Sequence, residues 1–257
     1  MLRGNIFLGA HFVLSGFRLC LHSRLRRFIL VPLFINTVIF GVIIGCLVVY
    51  CKEYYLIINK WFPRWILGIL GFVIWSLFSL IVGFMTSLIF TLATNLIAAP
   101  FYGLLAERTT RYLANTTQSE LILNCKTSPL ALLVPQILLR ELKKIAYFTP
   151  LLLLNVFILI FPITFAFSPF SWALTLAWIN AIQYVDYAAD NQHASLWLMV
   201  QKLKQEPLTV IGFGGTVGLL MTLPGANLIV PAAAVVGGTQ LWHRLNQMHL
   251  ESTFNPM

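Results

Sequence analysis

Residues 145–185 read IAYFTPLLLLNVFILIFPITFAFSPFSWALTLAWINAIQYV, 41 consecutive positions without Asp, Glu, Lys or Arg. A helix needs about 20 apolar residues to cross roughly 30 Å of bilayer hydrocarbon, so this run is too long for one crossing. Pro162 and Pro169 interrupt it near the middle, where a proline ends or bends a helix. The flanks, 145–160 and 171–185, hold 16 and 15 residues. At 1.5 Å per residue each reaches about 24 Å. The pattern predicts a helical hairpin that barely spans the bilayer or dips in and returns, its tip held against protein or a water-filled cavity.

Three further charge-free runs surround it: Phe28–Cys51 with 24 residues, Trp65–Ala106 with 42 and Pro207–His243 with 37. The first fits a single crossing. The second contains Pro100, and the remaining 65–99 would still make a helix about 52 Å long, one that crosses and continues past the headgroups. Thr86, Ser87, Thr91, Thr94 and Asn95 make its second half more polar, as an exit from the membrane requires. The third is broken by Pro224-Gly225-Ala226-Asn227 into a second hairpin. The chain therefore predicts an all-α integral membrane protein, a single domain over 1–257. It has two long transmembrane helices (28–51 and 65–99), two partly inserted or barely spanning hairpins (145–185 and 207–243) and a cytoplasmic loop (107–144). Residues 1–27 form an interfacial segment, where Ile6, Phe7, His11, Phe12, Leu14, Phe17, Leu19 and Leu21 suit a helix lying in the interface.

Composition agrees. The chain is 59% hydrophobic and 10% charged, far from a soluble domain. A net charge of +9 suggests nucleic acid only when Lys and Arg share a water-exposed face. Here they lie between apolar runs, so no nucleic-acid partner is expected. Of the 17 basic residues, 14 fall in 1–27, 107–144, 186–206 and 244–257, and 3 in 52–64. The positive-inside rule then places both termini in the cytoplasm. Arg18 to Arg27 before an apolar run, with Ile43-Ile44-Gly45-Cys46, imitates a cleaved signal, but apolar residues continue to Tyr50, so an uncleaved anchor is expected. Cys20, Cys46, Cys51 and Cys125 have neither metal-ligand nor disulfide-framework spacing.

Catalytic groups are missing from the runs. None contains a carboxylate, and the one histidine is His243 at an edge. No enzyme activity, cofactor or metal is expected. Gly212-x-Gly214 with Gly218 departs from a nucleotide loop, whereas Gly214-x-x-x-Gly218, Ala233-x-x-x-Gly237 and Ala234-x-x-x-Gly238 suit close helix packing. The remaining polar residues sit at the cytoplasmic edges of the runs. Arg26 and Arg27 begin the first crossing, where a helix N-terminus and two guanidiniums make an anion site; the alternative is a topology signal. Glu107 and Arg111 are four apart and suit a helix-face ion pair. Arg140-Glu141-Leu142-Lys143-Lys144 enters the first hairpin as an interfacial anchor. Asp186 and Asp190 close it, either as proton carriers or as hydrogen-bonding groups for the next segment.

Read in order, these segments resemble the CysZ family of bacterial inner-membrane sulfate transporters. The resemblance rests on Leu25-Arg26-Arg27-Phe28-Ile29-Leu30-Val31-Pro32-Leu33, on Asn95 through Pro100-Phe101-Tyr102-Gly103 to Glu107, and on Arg140-Glu141-x-x-Lys144. It rests equally on Ala181-Ile182-Gln183-Tyr184-x-Asp186-Tyr187 with Asp190-Asn191, and on Asn227-Leu228-Ile229-Val230-Pro231 running to Trp242. It implies proton-dependent sulfate uptake supplying sulfur for cysteine biosynthesis, by a homo-oligomer in the inner membrane. It also implies sulfate binding at Arg26 and Arg27. Where the family often has a glycine just before the pair, this chain has Arg24-Leu25, with Arg24 as a third candidate. Proton coupling falls to the edge carboxylates Glu107, Asp186 and Asp190. The alternatives are a passive anion channel and a non-transporting scaffold or lipid-interacting protein of the same superfamily.

Overall fold

The computed structural model describes residues 4–20, 101–113, 130–223, 226 and 229–254, with scattered helical positions within 34–50 and 76–83. Among the described residues all regular structure is helical. The chain divides into two compact units, Met1–Ile29 with Tyr102–Met257, and Leu30–Phe101. In the latter, the described positions between Phe34 and Tyr50 recur at helical spacing and are exposed, Phe34, Val38, Val42 and Val49 among them. Of 65–99 only Ser76, Leu77 and Leu80 with Gly83 are described, all helical. The rest of both long-helix readings lies outside the described residues.

Among the described residues the continuous helices are, in chain order, α1 (Ile6–Cys20), α2 (101–113), α3 (Leu130–Ile160), α4 (Ser168–Asn191), α5 (Leu196–Leu203), α6 (Pro207–Met221) and α7 (Val230–Phe254). The two hairpins take different roles. Helices α6 and α7 touch each other little; α1 fills the groove on one side of the pair and α4 fills the other. α7 is central, with Val230, Ala232 through Val236, Leu241, Trp242 and Leu245 buried.

Small residues make this arrangement possible, and neighbouring ones serve opposite partners. A side chain at Gly212 would strike the Ile6 backbone of α1, and one at Gly214 would strike the Ala177 carbonyl of α4. On α7, Gly237 abuts Phe12 of α1 while Gly238 abuts Tyr184 and Val185 of α4. The glycine pairs are thus packing positions. α1 answers with Gly9 against Thr209 and Phe213 and Gly16 against Ala233. Its buried residues are Gly9, Val13, Gly16 and Cys20, a narrow seam, while Phe7 and Leu14 remain exposed.

The first hairpin turns where the prolines predict. α3 ends at Ile160, a short 3-10 turn occupies Phe165–Phe167, and α4 starts with Pro169 in its first turn. Its legs are longer than the charge-free count allows. Apolar spans run over Leu139–Ile160, 22 residues, and Phe165–Asn191, 27 residues. Twenty-two helical residues reach about 33 Å, enough to cross the hydrocarbon. The count stopped at Ile145 and Val185 because charges begin there, but those charges pair across the hairpin and the helices continue through them. Pro150 lies within α3 without ending it. Polar bridges zip the legs: Trp178 Nε1 donates to the Tyr147 hydroxyl at 3.2 Å, and Asn155 Nδ2 to Thr175 Oγ1 at 2.8 Å.

Only 11% of the first span's apolar window and 22% of the second's are buried within the protein. Leu153, Phe157, Ile160, Ile163, Phe167 and Phe170 all face outward. A soluble core helix would hide these groups; an apolar surface this extensive is matched by lipid. The protein is a membrane protein. With both legs long enough to cross, a cysteine replacing Ile163 at the tip, in a background without native cysteines, is expected to react with an impermeant thiol reagent from the side opposite to one replacing Gln201. Labelling of both from the same side would show that the hairpin returns within the bilayer.

Candidate functional site

The end of the hairpin opposite its tip gathers the charged residues of α3 and α4. Arg140 and Lys144 are one helical turn apart on α3, as are Asp186 and Asp190 on the antiparallel α4. Each pair shares one helix face. Arg140 Nε donates to Asp186 Oδ1 at 2.8 Å, and its Nη2 lies 2.7 Å from the same oxygen outside hydrogen-bond geometry. Its Nη1 donates to Asp190 Oδ1 at 2.9 Å and to the Ala194 carbonyl at 3.0 Å. The guanidinium thus sits at the C-terminal end of α4, where free carbonyls favour a cation. The α4 terminus itself closes with His193 at φ 57° and the Ala194 amide bonding back to the Ala189 carbonyl.

Lys144 is the more demanding group, with its side chain 1% exposed. A buried ammonium is stable only when its donors are matched. Its Nζ lies 2.6 Å from Glu141 Oε1, 3.2 Å from Gln183 Oε1 and 3.2 Å from Asp186 Oδ2. Asp186 therefore bridges both cations, one through each oxygen. With every group ionised, two cations face three carboxylates. This net negative cluster repels anions rather than holding them, and its chemistry is that of a clamp.

Around the clamp, three sequence stretches meet. Asn191 Nδ2 donates to the Gly103 carbonyl of α2 at 2.7 Å, and the Tyr102 ring sits edge-on to Tyr187 at 5.6 Å. Burial pushes the Tyr102 phenol up to about 12. From α7, Trp242 Nε1 and Asn246 Nδ2 both donate to Gln192 Oε1, at 2.8 and 3.1 Å. Lys202 donates to Asn246 Oδ1 at 2.6 Å and lies 5.1 Å from the Trp242 ring centre. Burial lowers its pKa from the ordinary lysine value.

Of the residues singled out from sequence, Arg24, Arg26 and Arg27 lie outside the described residues. Glu107 is on α2, its Oε1 2.6 Å from Arg111 Nη2, in the helix-face pair that four-residue spacing suggests. Asp186 and Asp190 share Arg140, while Glu107 pairs elsewhere. Arg140 and Lys144 read from sequence as interfacial anchors; instead they point inward. The missed signal was complementarity: two cations four apart on one leg, two carboxylates four apart on the other, at matching distance from the turn. Among the described residues no group of three His, Cys, Asp or Glu is placed to hold a metal.

Comparison with known proteins adds the following. The family model described as sulfate transporter CysZ/etoposide-induced protein 2.4 matches residues 12–231. A sulfate transporter CysZ from Pseudomonas fluorescens is 34% identical over 240 residues, covering 92% of this chain and 93% of the relative. Those of Pectobacterium atrosepticum and Vibrio cholerae are each 35% identical, covering 91% and 88% of this chain and 84% and 89% of the relatives. These relatives bear the names of transporters, not of enzymes.

Proposed function

The chain belongs to the sulfate transporter CysZ/etoposide-induced protein 2.4 family, and from that premise we propose that it carries sulfate across a bacterial inner membrane. The observation that carries this reading is the near end-to-end match to relatives named for sulfate transport. The lipid-matched hairpin is consistent with it. In this reading Arg26 and Arg27, with Arg24, hold the anion at the cytoplasmic start of the first long helix. Both termini are cytoplasmic, the working form is a homo-oligomer, and the imported sulfate supplies cysteine biosynthesis.

Uptake needs an energy source. Moving sulfate inward against a negative interior costs about 4.6 kcal/mol at 100 mV for its two charges. Co-transported protons would offset that charge, with Glu107, Asp186 and Asp190 as carriers. A second reading, a passive anion channel, is favoured by one observation: all three carboxylates are already committed to ion pairs with arginine.

Labelled-sulfate flux into liposomes containing the purified protein separates these readings. Sulfate entry is expected, and Arg26→Ala with Arg27→Ala should weaken sulfate affinity at least about tenfold in calorimetry, since charge-assisted contacts contribute roughly 1.5–3 kcal/mol each. Coupling predicts flux that follows an imposed pH gradient and flattens in Glu107→Gln; indifference of the wild type to that gradient identifies a passive channel. Absence of any flux would return the protein to the scaffold reading.

A further inference from the structure

We propose that α5 is a headgroup anchor: its outer flank, with Trp197, Leu198 and Lys204, rests on anionic lipid at the membrane surface where the first hairpin emerges. The helix is short but well defined. Ser195 caps it, accepting from the Leu198 amide at 3.2 Å, and Met199, Val200 and Leu203 bury its inner face. Its outer side is unusual for a water-facing connector. Trp197 is 63% exposed and Leu198 41%. Lys204 and Gln201 are exposed beside them.

The level of α5 follows from Arg140. That guanidinium, one residue inside the apolar span beginning at Leu139, holds the Ala194 carbonyl immediately before the Ser195 cap. α5 is thereby fastened at the depth where one span starts and the other, ending at Asn191, finishes. Exposed Leu139 and Leu142 on α3 extend the lipid-facing surface to this level. An indole with an apolar body and a polar N–H is suited to the headgroup boundary. Charge points the same way: between Asp190 and Glu206 the charged residues are Lys202 and Lys204, both cations. Lys202 is turned inward to Asn246 and Trp242, which leaves Lys204 as the exposed cation for a lipid phosphate. The inference is independent of which solute is carried.

Spin labelling tests it in the full chain. A nitroxide on Trp197→Cys, in a background without native cysteines, is read in phosphatidylcholine vesicles with and without phosphatidylglycerol. Collisions with oxygen are expected to exceed those with a water-soluble nickel chelate severalfold. The excess should grow with phosphatidylglycerol, and Lys204→Gln should return it to the neutral-lipid value. A label on Leu198→Cys should give the same pattern. Preferential nickel access at both positions, or no response to phosphatidylglycerol, overturns the proposal. So does dipolar broadening that disappears on dilution with unlabelled protein, which would place a second copy of the chain on this flank.

Discussion

Replacing Asp186 with Ala is expected to cost about 3–5 kcal/mol of stability, because it takes the shared carboxylate from two cations at once, one of them, Lys144, buried. Arg140 would keep Asp190 and the Ala194 carbonyl, but Lys144, 1% exposed, would be left with Glu141 and Gln183. Thermal unfolding in a bilayer mimetic should show a large drop in midpoint. Restoring the balance tells loss of packing from loss of charge compensation. Lys144→Met combined with Asp186→Leu removes opposite charges together, and buried ion pairs replaced by apolar groups are often no less stable. The double variant is therefore expected to recover much of the loss. If Asp186→Ala unfolds like the wild type, the clamp does not hold the hairpin.

The second large effect lies between adjacent glycines of α6. A methyl at Gly214 would collide with the Ala177 carbonyl, whereas at Gly215 it would meet only the Ala177 methyl at 3.8 Å. Both changes gain helix propensity of roughly 0.5–1 kcal/mol. At Gly215 nothing opposes that gain. At Gly214 two helix backbones must move apart, and overpacking costs about 1–3 kcal/mol or more. Gly215→Ala should therefore match or exceed wild-type stability, while Gly214→Ala falls below it and Gly214→Val fails to assemble a compact protein. Equal behaviour of the two alanine variants in size-exclusion and thermal assays would refute the close α4–α6 contact.

How much of this was legible depended on what each signal measures. Pro162 and Pro169 located the first turn because proline acts locally, through its missing N–H and its ring. Leg length was misjudged because a charge-free count treats every charge as a boundary, and Arg140, Lys144 and Asp186 cancel one another instead. The same blindness hid Arg140 and Lys144 as partners: along one dimension a cation near an apolar run looks the same whether it snorkels outward or pairs inward. Small-residue spacing revealed that α6 and α7 are packing helices, but not that Gly212 and Gly214 serve different neighbours. Gly9 and Gly16 went unread because large apolar residues dominate that segment, although the glycines form its buried seam. For Arg26 and Arg27 the reading rests on charge pattern and resemblance alone.

The seam of α1 bears on the order in which the chain is made. Its partners are Thr209, Phe213, Ala233 and Gly237, and the Asn5 amide donates to a hydroxyl 204 positions later. Helix α1 therefore meets these partners only once α6 and α7 have been made. Until then Gly9 and Gly16 lack those partners, while both legs of the lipid-facing hairpin have already been made. Contacts this remote are late and slow to close. Helix α1 thus behaves as a latch, closing on α6 and α7 only after both have been made.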